Sequence, residues 1–226
     1  IKIENIKHFL FLLSMLNQVF NDLRVELFFS SIDDLRIKLD FLDKNHFYRV
    51  NLPCKANINK KLLCEAISFI HINFPNVEIT PHFSLQYEYD QSPANTLLKF
   101  ESFVTLASEN SINEVLIVSG AQKRKRIDTL YVLNEIARSK QISRRSISFG
   151  VVYNPYLKGS LMEVERQRII QKLSTGVVSS IWFQFGTDLD RLRQEIIYIN
   201  LIIDKLFQSG IISKRMILIG SIFIPE

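Results

Sequence analysis

The chain has 226 residues, and 28 Lys and Arg against 23 Asp and Glu give it a formal charge of +5. At 47% hydrophobic and 23% charged it has a globular composition, which excludes a disordered chain, and its length suits one domain or two small ones. The seven glycines all lie at Gly120 or later, so no Walker A loop, GxGxxG dinucleotide turn or GxSxG nucleophile elbow stands intact.

A helix is expected at about 3–20. Its apolar run over 9–13, extended by Met15 and Leu16, is too short to span a bilayer. Lys2 and Lys7 imitate the start of a signal peptide, but Glu4 and the lack of a small-residue cleavage site argue against one. Two cysteines, Cys54 and Cys64, make no disulfide framework, so a reducing, cytoplasmic setting is expected.

Strands are expected at 24–29, 46–51, 77–83, 114–119, 147–152, 179–185 and 216–222. These runs are rich in Val, Ile and Phe, and they read as strands covered on both faces. Between them, 58–72 carries Leu62, Leu63, Ala66, Ile67 and Ile70 at helical spacing. The stretch 94–109 does the same with Leu97, Leu98, Phe100, Phe103, Val104 and Ala107, and 129–139, 163–174 and 189–208 continue the pattern. Strand starts 20–40 residues apart match a βα unit, and no Pro/Gly/Ser linker divides the chain. The expectation is one α/β domain over 1–226. It is a (β/α)8 TIM barrel lacking its last βα unit, with an open doubly wound sheet as the alternative.

In a barrel the functional residues sit at the carboxyl ends of the strands. Glu26, inside an apolar strand, reads either as a buried proton donor with a raised pKa or as a half-exposed residue paired with Arg24. His82, after Pro81, reads as a donor to a ligand or as a structural imidazole. Tyr153 could stack on a flat cofactor or pack in the core. Gln184 offers an amide donor and acceptor among aromatics, and Asp188 is positioned to cap a helix. The basic run 123–126 could meet phosphates or be a solvated loop, and nucleic acid is not expected without interleaved aromatics. Cys54, Cys64, His71 and His82 lack zinc-ligand spacing, so no metal site is expected.

Several segments, in order, resemble the methylenetetrahydrofolate reductase family. Thr80-Pro81-His82-Phe83-Ser84 is similar to its (T/A)PHLTC segment, and 24–29 to its SFEFFPP strand. LIVSGA at 116–121, VVYNP at 151–155, KLSTG at 172–176 and IWFQFGTD at 181–188 resemble its LALRGD, AxYPE, KxDAGA and ITQxFFD segments. The resemblance covers roughly 22–226. It implies a flavoprotein oxidoreductase of one-carbon and methionine metabolism, with FAD passing hydride from NAD(P)H to methylenetetrahydrofolate. It further implies that Glu26 is the catalytic acid and that Gln184 binds the folate. His82, Gly120, Tyr153, Glu165 and Lys172 would contact the flavin. A homo-oligomer and no membrane partner are expected. Ser119 and Ala121 replace the family's Arg and Asp, which supports the alternative of a catalytically impaired barrel acting in regulation or interaction.

Overall fold

The computed structural model describes residues 22–55, 58, 60–120, 127–139 and 146–223. The expected helix at 3–20, Ala121 and the basic run 123–126 lie outside the described residues.

Strands and helices alternate. The order is β1 (Asp22–Glu26), α1 (Ile32–Lys44), β2 (Arg49–Leu52), α2 (Lys60–Asn73), β3 (Glu78–Ser84), α3 (Pro93–Glu109) and β4 (Glu114–Val118). Then follow α4 (Thr129–Arg138), β5 (Ser148–Tyr153), α5 (Ser160–Leu173), β6 (Val178–Phe183), α6 (Leu189–Gln208) and β7 (Ile217–Phe223). All neighbouring strands are parallel, and the sheet closes in the order β1 to β7. The TIM-barrel architecture expected from the sequence is therefore present, with seven strands. No gap waits for an eighth: β7 pairs directly with β1, from Asp22 opposite Ile219 to Glu26 opposite Phe223.

Local chemistry explains the helices. Helix α1 was not singled out in the sequence, yet its signals are there. The Ser31 hydroxyl accepts from the Asp34 N–H, Asp33 and Asp34 sit in the first turn, and Leu35, Leu39 and Leu42 form the buried stripe. Asp188 caps α6 through the Arg191 N–H, as expected.

The strands are covered on both faces, as expected, and β1 and β3 also alternate in polarity. In β1, Val25 points into the main core while Arg24 and Glu26 take the other side. In β3, Ile79 and Phe83 pack outward, while Thr80, His82 and Ser84 point inward. The main core lies between the sheet and the helices, where Phe83 meets Phe100 edge-on at 5.1 Å. Each such fully buried side chain contributes roughly 1.5–3 kcal/mol. A second, smaller apolar cluster inside the barrel holds Leu116, Trp182 and Ile219.

The lower barrel interior is charged. Arg24, 5% exposed, donates to Thr80 Oγ1 at 2.9 Å, pairs with Asp22 at 3.1 Å and with Glu78, and lies 5.6 Å from the Trp182 ring centroid. A buried guanidinium needs such partners, because its desolvation costs several kcal/mol. Trp182 Nε1 donates to Ser180 Oγ at 2.8 Å, and Ser180 donates on to Glu114 at 2.5 Å. Burial holds the Glu114 carboxyl above its usual range.

Gly150 makes room for this arrangement. A Cβ there would lie 2.6 Å from Trp182 Nε1 and 2.7 Å from Ser180 Oγ. Gly150→Ala should therefore cost about 1–3 kcal/mol in urea unfolding, an overpacking penalty. Trp182 is the single tryptophan, so its emission should shift in the folded variant. An unchanged unfolding midpoint and spectrum would contradict this packing.

Candidate active site

A cavity of about 350 Å3 opens at the carboxyl ends of the strands. That volume fits a small ligand. Glu26 from β1, Asn51 from β2 and His82 from β3 form its polar wall, with Lys55 on the loop after β2. Leu116, Val118, Val152 and Trp182 form its apolar floor and far wall. Two larger hollows, of about 520 and 560 Å3, lie between α5 and α6 and at the amino-terminal mouth. Asp22, Arg24, Arg49 and Glu78, which line the second, are paired with one another, and Arg215 beside them pairs with Asp204. We place the site in the cavity over the strand ends because the unpartnered buried Asn51 Oδ1 lies in its wall.

Parallel register sets the geometry. Glu26 lies opposite Asn51, and Asn51 opposite Thr80, two residues before His82. Asn51 Nδ2 donates to Glu26 Oε2 at 2.9 Å and stands 3.0 Å from His82 Nε2. Lys55 Nζ lies 3.6 Å from Glu26 Oε1 and 3.6 Å from the Phe28 ring centroid. A single amide therefore ties a carboxylate to an imidazole, with an ammonium on the carboxylate's other oxygen.

Burial raises the Glu26 carboxyl above its usual range, and Lys55 and the Asn51 hydrogen bond only partly oppose it. Burial, reinforced by Lys55, pushes the His82 imidazole down to about 3, so the ring is neutral near pH 7. Burial pushes the Cys54 thiol, also in the cavity wall, up to about 11. It stays a thiol at neutral pH and is a poor nucleophile. One buried side-chain atom among the described residues has no hydrogen-bond partner, and it is Asn51 Oδ1. Leaving such an acceptor bare costs about 1–3 kcal/mol.

Of the residues singled out in the sequence, Glu26, His82, Gly120 and Gln184 line this cavity. Gly120 carries a left-handed φ of 81°, and a Cβ there would run into Gln86. The other three do not reach it. Tyr153 is fully buried on the outer face of the barrel, where its hydroxyl donates to Glu195 Oε2 at 2.5 Å and its ring meets Phe183 edge-on. Glu165 accepts the Asn154 N–H at 3.1 Å, and Lys172 donates to the Val152 carbonyl at 3.3 Å. These contacts tie β5, α5 and α6 together. Ser119 likewise turns aside, to Thr129 Oγ1 at 2.7 Å. Asn51, Lys55 and Trp182 were not read as site residues. A polar Asn inside the apolar second strand was the available signal.

Among the described residues no three His, Cys, Asp or Glu side chains group to hold a metal ion. No described helix is long and apolar enough to cross a membrane.

No family model matches the chain, and no curated protein matches it in sequence. The structure is similar to a protein of Anabaena variabilis assigned as a sugar phosphate isomerase/epimerase, with a TM-score of 0.52 and 11% identity over 88% of this chain and 73% of that one. At that identity the likeness shows the fold alone. Weaker likenesses are to IolI with bound zinc (TM-score 0.49, 10% identity, 88% of each chain) and to Yersinia pestis DHPS with a pterine-sulfa conjugate (0.47, 10%, 90% and 87%). None of these three is a methylenetetrahydrofolate reductase, and Tyr153, Glu165 and Lys172, carried over from that family, are not among the cavity's lining residues. The reductase assignment and its oxidoreductase, flavin and folate vocabulary are therefore corrected. The FAD, NAD(P)H and folate expectations rested on that resemblance alone.

Two outcomes follow. Because the folded Glu26 carboxyl is raised above its value in the unfolded chain, ionising it works against the fold as pH rises through its titration. Glu26→Gln should thus stabilise the protein at pH 7–8. The gain should vanish at low pH, where the carboxyl is protonated in both states; urea unfolding across pH measures it. Tyr153→Phe should cost about 1 kcal/mol of stability, the loss of one hydrogen bond to a carboxylate that keeps Arg166 at 2.5 Å, and should leave ligand binding in the cavity unchanged.

Proposed function

We propose that the chain is an enzyme that moves a proton within a small hydroxy-carbonyl compound, as an isomerase or epimerase. One observation carries this reading: a buried carboxyl at the carboxyl end of a barrel strand, raised by burial and aimed into a small-molecule cavity beside a lysine. The similarity in fold to a protein assigned as a sugar phosphate isomerase/epimerase supports it as analogy only.

The chemistry follows from the side chains. Removing a proton next to a carbonyl needs a base whose pKa lies closer to neutrality than that of a free carboxylate. Desolvation supplies that shift at Glu26. The Glu26 carboxylate takes the proton from carbon, and the electron pair moves onto the carbonyl oxygen to give an enediolate. Among the described residues Lys55 is the cationic side chain in the cavity lining, and its ammonium stabilises that negative charge. For isomerisation Glu26 returns the proton to the former carbonyl carbon while the proton of the adjacent hydroxyl passes to the former carbonyl oxygen; for epimerisation the enediolate turns its other face to Glu26 before the same carbon is reprotonated and the carbonyl re-forms. Trp182 and the apolar floor exclude water from the intermediate.

The test is isotope exchange. A panel of three- to six-carbon aldoses and ketoses is incubated with the protein in D2O, and proton NMR follows the position next to the carbonyl. At least one compound should take up deuterium there, and Glu26→Gln should lower the rate by about 10²–10⁴-fold. Exchange in none of them, or full exchange with Glu26→Gln, would overturn the reading.

A further inference from the structure

Asn51 titrates nothing, yet it joins the two groups that can. It is fully buried, it lines the cavity, and its Nδ2 stands within hydrogen-bond distance of both Glu26 Oε2 and His82 Nε2. A primary amide nitrogen has two hydrogens and cannot accept. With one hydrogen on each neighbour, His82 Nε2 must be the bare nitrogen, and the imidazole proton resides on Nδ1. Asn51 Oδ1 is left without a partner.

We propose that Asn51 is a positioning residue that couples the charge of Glu26 to the tautomer of His82. The inference rests on reading Glu26 as the proton-transferring group. While Glu26 is ionised, Nδ2 gives both its hydrogens to acceptors, and Oδ1 is the cost of that arrangement. When Glu26 has taken a proton, its carboxyl is a donor. A half-turn of the amide then places Oδ1 where Nδ2 stood, and Oδ1 accepts from the Glu26 O–H and from His82 Nε2–H.

The protons balance. Glu26 gains one, taken from substrate or water. His82 keeps one throughout: water takes the Nδ1 proton and water supplies one to Nε2, so the ring stays neutral and no net proton is gained or lost by it. Among the described residues the charged group facing this cluster is Lys55, from the loop after β2, which favours the ionised Glu26; the titratable Cys54 and Tyr87 also line the wall. Asn51 and His82 face Glu26 from β2 and β3, and the β7 residue in the cavity wall, Ser221, carries no charge. The device gives the base two defined states rather than a continuum. Each has its own hydrogen-bond pattern, and no further charge is buried.

Nitrogen-15 NMR of the histidine rings tests this on the free protein, without any substrate. In the wild type at pH 8, His82 Nε2 should fall in the bare-nitrogen range and Nδ1 in the protonated range. On acidification the Nε2 signal should move to the protonated range, and Nδ1 to the bare range, with the midpoint of the Glu26 carboxyl followed by carbon-13. In Asn51→Ala the His82 signals should no longer follow Glu26. A protonated Nε2 at pH 8, a ring protonated on both nitrogens at the Glu26 midpoint, or tracking that survives in Asn51→Ala would each overturn the coupling. Because the wild-type titration needs no variant, a misfolded Asn51→Ala would not shield the proposal. Failure of isotope exchange with the coupling intact would sink the enzyme reading alone, and the reverse pattern would sink the coupling alone.

Discussion

A closed parallel barrel takes its inward side chains out of water, and here one of them is the Glu26 carboxyl. That burial is the constraint on which the site depends. An isolated carboxylate could not be held there, because desolvating the charge costs too much. The chain answers with one amide hydrogen bond and one ammonium at 3.6 Å. These partners keep Glu26 able to ionise, yet they do not outweigh the burial, so its pKa stays raised. A stronger pair, such as a buried bidentate arginine, would pin the charge and leave no base near neutrality.

The lower interior of the barrel shows that contrast. Arg24 faces the same axis two residues before Glu26, but it is spent on Asp22, Glu78 and Thr80. Its guanidinium also lies beneath Trp182, whose indole is held by Ser180, which is held in turn by Glu114. The paired charges thus build a fixed floor, and the lightly paired one above it is free to act. Structure and chemistry are separated along the barrel axis by how completely each charge is satisfied.

Much of the fold is legible in the sequence. All seven strands fall within a few residues of their expected places, because most are Val-, Ile- and Phe-rich runs between helical patterns. Closure by seven strands is not legible, since the β1–β7 register is a long-range pairing that no local pattern encodes. The inward polar face is legible in hindsight: Arg24-Val25-Glu26-Leu27 and Ile79-Thr80-Pro81-His82-Phe83 alternate plainly. Coverage on both faces does not by itself single out Asn51, whose register opposite Glu26 is a long-range pairing. Matching motifs to a family lands on Glu26, His82, Gly120 and Gln184, which line the cavity. It misplaced Tyr153, Glu165 and Lys172, because short motifs at strand ends do not say which face of the barrel wall a side chain takes.

The account stands on the condition of one carboxyl. Carbon-13 NMR of glutamate carboxyls, with Glu26 assigned by its loss in Glu26→Gln, measures that condition directly. The predicted result is a Glu26 midpoint clearly above that of the exposed glutamates, falling toward theirs when the floor is opened by Trp182→Ala and water enters. A midpoint at or below the ordinary carboxylate range would show Glu26 to be a stabilised ion rather than a base, and would contradict the account.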